Sequence, residues 1–148
     1  MHHPTTELVA AAWLATLPGF TSAMVASNLP KAHETWEATG FLTVTLAGGV
    51  PTLDVPVRNP VVQVDAFATK RGSSRPPWDK AARLADVVVN ACWDDGNHAI
   101  DLDVKTGYER ARVLTVHTVR EPQRLYGDEQ SLAKYSVDLQ FHWFEIPA

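Results

Sequence analysis

The chain has 148 residues, 45% of them hydrophobic and 20% charged, with a formal net charge of -4. This length favours a single domain spanning residues 1–148, able to bury roughly 68–70% of its unfolded surface without staples, and the composition excludes disorder. The acidic balance argues against a dedicated nucleic-acid binder, which is usually basic, and the lone cysteine, Cys92, excludes an internal disulfide framework and offers no zinc spacing.

The N-terminal stretch MHHPTTELVAAAW has no basic region before its apolar run, so it does not read as a signal peptide. The longest uninterrupted apolar run, Leu8 to Ala15, is too short to cross a bilayer. A soluble protein made in a reducing cytoplasm, with no membrane partner, is expected. The first predicted element is a helix from Thr6 to Leu17. Thr5 or Thr6 can cap it, Glu7 lies in its first turn where the helix dipole favours an anion, and Pro18-Gly19 stops it. Val9, Trp13 and Leu17 give it an apolar stripe.

SAMVASNLP is a short strand candidate, and the polar KAHETWEATG after it reads as a loop. In FLTVTLAGG, Leu42, Val44 and Leu46 alternate with Thr43 and Thr45, the period of a half-buried strand, and Gly48-Gly49 reads as a turn. The prolines of VPTLDVPVRNP interrupt ladder bonding, which confines any strand there to an edge. Val61 to Thr69 is a strong strand, with Val62, Val64, Ala66 and Ala68 on one face and Gln63, Asp65 and Phe67 on the other.

A second helix is predicted from Pro77 to Cys92, where Pro77 suits a first turn whose N–H would be unpaired anyway. Its inner stripe is Ala81, Leu84, Ala85, Val88, Ala91 and Cys92, and Asp94-Asp95-Gly96 ends it. A hairpin follows around Thr106-Gly107, its second arm Ala111 to Arg120 rich in β-branched residues. In the last strand, Tyr135, Val137, Leu139, Phe141 and Trp143 point one way, and Ser136, Asp138, Gln140 and His142 the other. The order α-β-β-β-α-β-β predicts an α+β fold, with two helices on one face of a mostly antiparallel sheet. The far face and the edges are then left for other contacts.

The stretch ATKRGSSRPPW has the layout of a phosphate-binding loop but not its donors. It holds a single glycine, Gly72, and Pro76 and Pro77 each remove an N–H. Its cations, Lys70, Arg71 and Arg75, followed by a rigid Pro-Pro-Trp shoulder, fit instead a contact loop for an acidic neighbouring subunit or a DNA backbone. Solvated surface charge is the plain alternative.

Asp103-x-Lys105, with Asp94 or Asp95 upstream, is a pattern also used by metal-dependent nucleases. Alternation with Ile100, Leu102 and Val104 explains the same residues as a solvent-facing strand. His117 and His142 can approach on paired strands, but two imidazoles do not make a zinc site. Cys92 on the apolar stripe reads as a small buried hydrophobe, and no Ser or Cys has a nucleophile's flanking motif. Trp36 and Trp78 are core or interface anchors. No catalytic, cofactor or metal residue is assigned; the interface candidates are Trp36, Lys70, Arg71, Arg75 and Trp78.

The succession of helix, strands, VVQVDAFATKRGSSRPPWDKAARLADVV and a terminal YSVDLQFHWF strand resembles the tail terminator (tail completion) proteins of long-tailed bacteriophages, particularly those infecting actinobacteria. The resemblance is most specific in VQVDAFA, its polar loop and the Ala-rich helix AARLADVV. It implies a structural virion protein that forms a ring, typically of six copies, on the head-proximal end of the tail tube. That ring stops tube elongation and receives the head connector, so the implied partners are copies of the chain, the tail tube protein and the connector or stopper protein, with DNA passing only as cargo. Another head–tail connector component, a stopper or head-completion protein, shares this layout. A metal-dependent nuclease is the enzymatic alternative.

Overall fold

A computed structural model describes residues 1–49, 54–125 and 131–147. The chain begins with helix α1 (Thr6–Ala15), capped by Thr5, whose Oγ1 accepts the Leu8 N–H at 3.3 Å. The helix ends two residues earlier than the periodicity predicts. Its last turn tightens into i→i+3 bonds, Thr16 N–H to Trp13 and Leu17 N–H to Leu14, before Pro18 ends the run. Leu17 still packs in the core at 2% exposure, which is why its periodicity reads as helical.

A 3-10 turn at Ser22–Met24 leads into a two-residue strand, β1 (Val25–Ala26). Strands β2 (Phe41–Gly48) and β3 (Val61–Thr69) follow, then helix α2 (Trp78–Ala91). Pro77 stands at the N-cap of α2 rather than inside it. The hairpin around Gly107 joins β4 (Ile100–Leu102) to β5 (Arg110–Leu125), and β6 (Leu132–Ile146) closes the chain. The sheet order is β1-β2-β3-β6-β5-β4, with only the β1–β2 pair parallel.

The centre of the sheet is the ladder between β3 and β6, running from Val61 opposite Gln140 to Thr69 opposite Leu132 without a register shift. Strand β5 runs past the expected end at Arg120, because bulges absorb what should have stopped it. The last of its register shifts lies between Arg120 and Gln123 and spans Pro122, which cannot donate a ladder bond. Of the proline-rich segment before β3, residues 50–53 lie outside the described residues. Arg58 makes an isolated antiparallel bridge to Trp143, continuing the line of β3 against β6 instead of forming an edge.

Both helices pack on one face. Val9, Ala10, Trp13 and Leu14 of α1, and Ala85 and Val88 of α2, share a core with Val62, Val64, Val137, Leu139, Phe141 and Trp143. Trp13 meets Phe141 edge-on at 5.5 Å between ring centroids, and its Nε1–H donates to the Asn97 carbonyl at 3.0 Å. The sheet curls so far that α1 touches β1 and β2 at one edge and β4 at the other.

The far face is less open than expected. At one end Trp36 folds over Phe41 and Phe67, closing a second small core. Elsewhere a polar network covers it: Arg120 holds Asp138 at 2.9 Å and the Ser136 hydroxyl at 2.8 Å, while Gln63 donates to Asp65 at 3.0 Å.

Candidate interface at the start of the second helix

Strand β3 ends at Thr69 and delivers the chain into the loop 70–77, which turns through Gly72 (φ +78°) and enters α2 through two prolines. The loop is anchored to the segment around Glu37. Glu37 takes the Arg71 backbone N–H on Oε1 at 2.7 Å and its guanidinium Nε–H on Oε2 at 2.8 Å. Arg71 is therefore an anchor of the loop as well as one of its charges. These hydrogen bonds, the backbone one foremost, hold the Glu37 carboxyl below its ordinary pKa.

The first turns of α2 add cations that the loop alone does not reveal. Lys80 donates to the carbonyls of Glu37 and Ala38 at 2.8 and 2.7 Å, and Arg83 is exposed one turn on. Strand β5 adds Arg124, whose register partner on β6 is Tyr135. Tyr135 packs edge-on against Trp78 at 6.2 Å, so the sheet brings the Arg124 guanidinium to 4.4 Å from the Trp78 ring centre.

The product is a shallow surface hollow walled by Pro76, Pro77 and Trp78. Lys70, Arg75, Lys80, Arg83 and Arg124 line it, against one carboxylate, Asp79. Lys70, Arg75 and Arg83 make no ion pair with any described residue. Such a surface can receive an acidic or phosphate-bearing partner and stack an aromatic ring against its apolar wall.

Three of the five expected interface residues, Lys70, Arg75 and Trp78, thus line one hollow, and Arg71 stands in the same loop with its guanidinium turned to Glu37. Trp36 does not join them as a surface group. It is 3% exposed because Phe41 and Phe67 would otherwise be uncovered apolar area, and its loop supplies packing instead of contact. The residues missed in sequence are Lys80, Arg83 and Arg124. The first two were legible as the polar side of α2, whereas Arg124 is placed only by the β5–β6 pairing.

The other end of α2 has the opposite character. Trp93 follows the helix directly and is 81% exposed, next to exposed Asp94 and Asp95. Asp94 Oδ1 accepts the Gly96 N–H at 2.9 Å and so holds the turn, while neither acid pairs with a described cation. The signal for this site was a tryptophan set in the acidic turn WDDGN.

The other candidate chemistries dissolve into ordinary pairings. Asp101 and Asp103 are taken by Arg112 and Arg110, which lowers the Asp101 pKa through the Arg112 hydrogen bonds. Among the described residues no three His, Cys, Asp or Glu side chains converge as a metal site. His117 and His142 stack at 5.6 Å, and Thr115 shares a 3.0 Å hydrogen bond with His142 Nδ1. Cys92 is buried, and burial pushes its thiol pKa up, away from a reactive thiolate. No helix among the described residues is long and apolar enough to cross a membrane.

No protein-family model and no curated protein matches the chain. One solved chain is 17% identical, with 97% of this chain and 99% of that one covered, at a TM-score of 0.42. The fold is similar to that of a chain in the virion of a native gene transfer agent particle, with a TM-score of 0.50 at 12% identity over 96% of this chain and 87% of that one.

Proposed function

We propose that this chain is a structural virion protein that works by assembly rather than catalysis, as a tail terminator. Copies form a ring, six by the family resemblance, on the head-proximal end of the tail tube. The ring stops tube elongation and receives the head connector. The observation that carries this reading is the fold shared over nearly the whole chain with a component of a gene transfer agent virion. The surface agrees with it. A ring is built from heterologous contacts, one patch meeting a different patch of the next copy, and α2 carries unlike patches at its two ends.

Physically, a terminator must bind the tube through one surface while withholding the tube's own growing surface from the next tube subunit. Nothing in that task requires a transition state to be stabilised; it requires rigid faces of fixed relative orientation. The unshifted β3–β6 ladder supplies the rigidity. DNA is a passing cargo in this scheme, met if at all by cations that face the lumen.

Deleting the gene from the particle that encodes the chain, then imaging by electron microscopy, tests the proposal. Overlong or headless tails are expected. Filled heads that leak DNA would assign the chain to a stopper ring instead, and normal virions would refute a structural role.

A further inference from the structure

We infer that the two ends of α2 are the two halves of a head-to-tail contact between copies of this chain. Trp93, Asp94 and Asp95 of one copy seat on the hollow formed by Lys70, Arg75, Trp78 and Arg83 of the next. The inference deepens the ring reading and rests on it only in requiring that copies associate.

Trp93 is the most exposed large apolar side chain among the described residues. A tryptophan left in water beside two acids has the composition of an interface anchor with a charged rim. The hollow is its chemical complement: Lys70, Arg75 and Arg83, which make no ion pair with a described residue, stand around an apolar wall of Pro76, Pro77 and the Trp78 ring that Arg124 also meets. An indole can lie against that wall while the two carboxylates meet Arg75 and Arg83.

The halves cannot meet within one copy. From Trp78 to Trp93 the chain climbs fifteen residues, roughly 22 Å at 1.5 Å per residue. Because one rigid helix carries both patches, every copy that docks presents a fresh hollow in a fixed direction. Docked head to tail, such a contact propagates into a closed ring or a filament; an antiparallel pair of α2 helices would instead close it as a two-fold dimer, and the ladder from the double-cysteine chain below separates the two. Charge sets the register: each chain carries a net charge of -4, so copies repel one another except where the local pattern is complementary. A DNA backbone would also satisfy the cations, but it leaves Trp93 exposed and makes no use of the acids beside it, so the second copy is the better occupant.

The test uses two full-length chains, both carrying Cys92→Ala, one with Arg75→Cys and the other with Asp95→Cys. Under mild oxidation the mixture should give a covalent heterodimer at least tenfold above either chain alone. One chain with both new cysteines should give a ladder of higher oligomers. Adding Trp93→Ala to the Asp95→Cys chain should cut the mixed product at least fivefold. Should Cys92→Ala unfold by circular dichroism, the buried native cysteine is retained and the same comparison is made. As an independent measure, Arg75→Glu with Arg83→Glu should weaken association in sedimentation, and a partner with Asp94→Lys and Asp95→Lys should restore it.

A mixed yield no higher than the single-cysteine controls, or one indifferent to Trp93→Ala, overturns the contact. So does a 20-base-pair duplex bound through Arg75 and Arg83 without any mixed product, which would make the hollow a DNA surface. Rings that persist in Trp93→Ala by native mass spectrometry overturn the contact and leave the terminator reading standing. Tails normal without the gene, alongside a positive cross-link, overturn the terminator reading and leave the contact standing.

Discussion

Glu37 grips Arg71 twice, through the backbone N–H at 2.7 Å and the guanidinium at 2.8 Å, and thereby ties the basic loop to the segment that covers the far end of the sheet. Lys80 reaches the same segment from α2 by donating to the Glu37 and Ala38 carbonyls. The loop's cations are therefore held at the mouth of α2 by a carboxylate 34 positions earlier in the chain.

That clamp predicts a local effect. In Glu37→Gln, amide hydrogen exchange over residues 70–75 should accelerate severalfold while the urea midpoint moves little, because exposed ion pairs contribute little to global stability. The pH dependence has a definite sign. The folded-state pKa of Glu37 is lowered, so its contribution is present above the ordinary value of 4.5 and is lost as pH falls through the lowered folded value. Relative to the intrinsic amide exchange rate at each pH, wild-type protection in this loop should fall through that acid window, and Glu37→Gln should not show the fall.

Two glycines with nearly the same backbone should respond differently. Gly40 (φ +82°) has no room: an added Cβ would lie 2.4 Å from Leu84 Cδ1 and 3.1 Å from the Phe67 carbonyl oxygen. Gly107 (φ +87°) faces open space. Gly40→Ala should cost about 1–3 kcal/mol in backbone strain before any displacement of Leu84. Gly107→Asn should cost less than about 1 kcal/mol, because asparagine tolerates the left-handed region. Urea unfolding of the two variants measures the contrast; equal losses would refute the packing at Gly40.

Trp13 joins α1 to the centre of the sheet. Its ring is fully buried against Phe141, and its indole N–H satisfies the Asn97 carbonyl in the turn after α2. Trp13→Ala should destabilise the fold by about 3–5 kcal/mol. Trp13→Phe keeps an aromatic but orphans that carbonyl, which adds about 1–3 kcal/mol to the cost of the lost volume. Chemical denaturation would show both, and a Trp13→Ala loss below about 1 kcal/mol would contradict this account of the core.

His142 gives the sheet a mild acid sensitivity. Burial first, and the neighbouring His117 second, lower its pKa from the ordinary 6.5. Between that lowered value and 6.5 the unfolded chain binds more protons than the folded one, so stability falls as pH drops through the window. The thermal midpoint should decline below pH 6.5, and His142→Gln should flatten the decline. A wild-type midpoint that rises on acidification there would contradict the stacked pair.

The long strands were the most readable elements. Val61 to Thr69 forms as predicted, and the alternation from Tyr135 to Trp143 sorts those residues to the core or the far face as expected, since a strand's period of two can be read one residue at a time. Both helices were also readable, to within two residues, from their stripes and their caps. The fate of Trp36 was not. Its neighbours are polar, and only the pairing of Phe41 with Phe67 creates the apolar area it must cover. Nor was the full reach of β5, since its bulges depend on β6 as a partner.

For the candidate interface the division is similar. The composition of the loop, with Lys70, Arg71 and Arg75 ahead of Pro-Pro-Trp, was a local fact, and local facts can be read along a chain. That Arg71 is an anchor, that Arg124 arrives beside Trp78, and that the tryptophan at the opposite end of the same helix is left in water were decided by the tertiary structure. The reason is range. Period, caps and turns are set by interactions within a few residues, whereas a surface patch is assembled by strand pairing and helix packing that bring distant parts of the chain to one place.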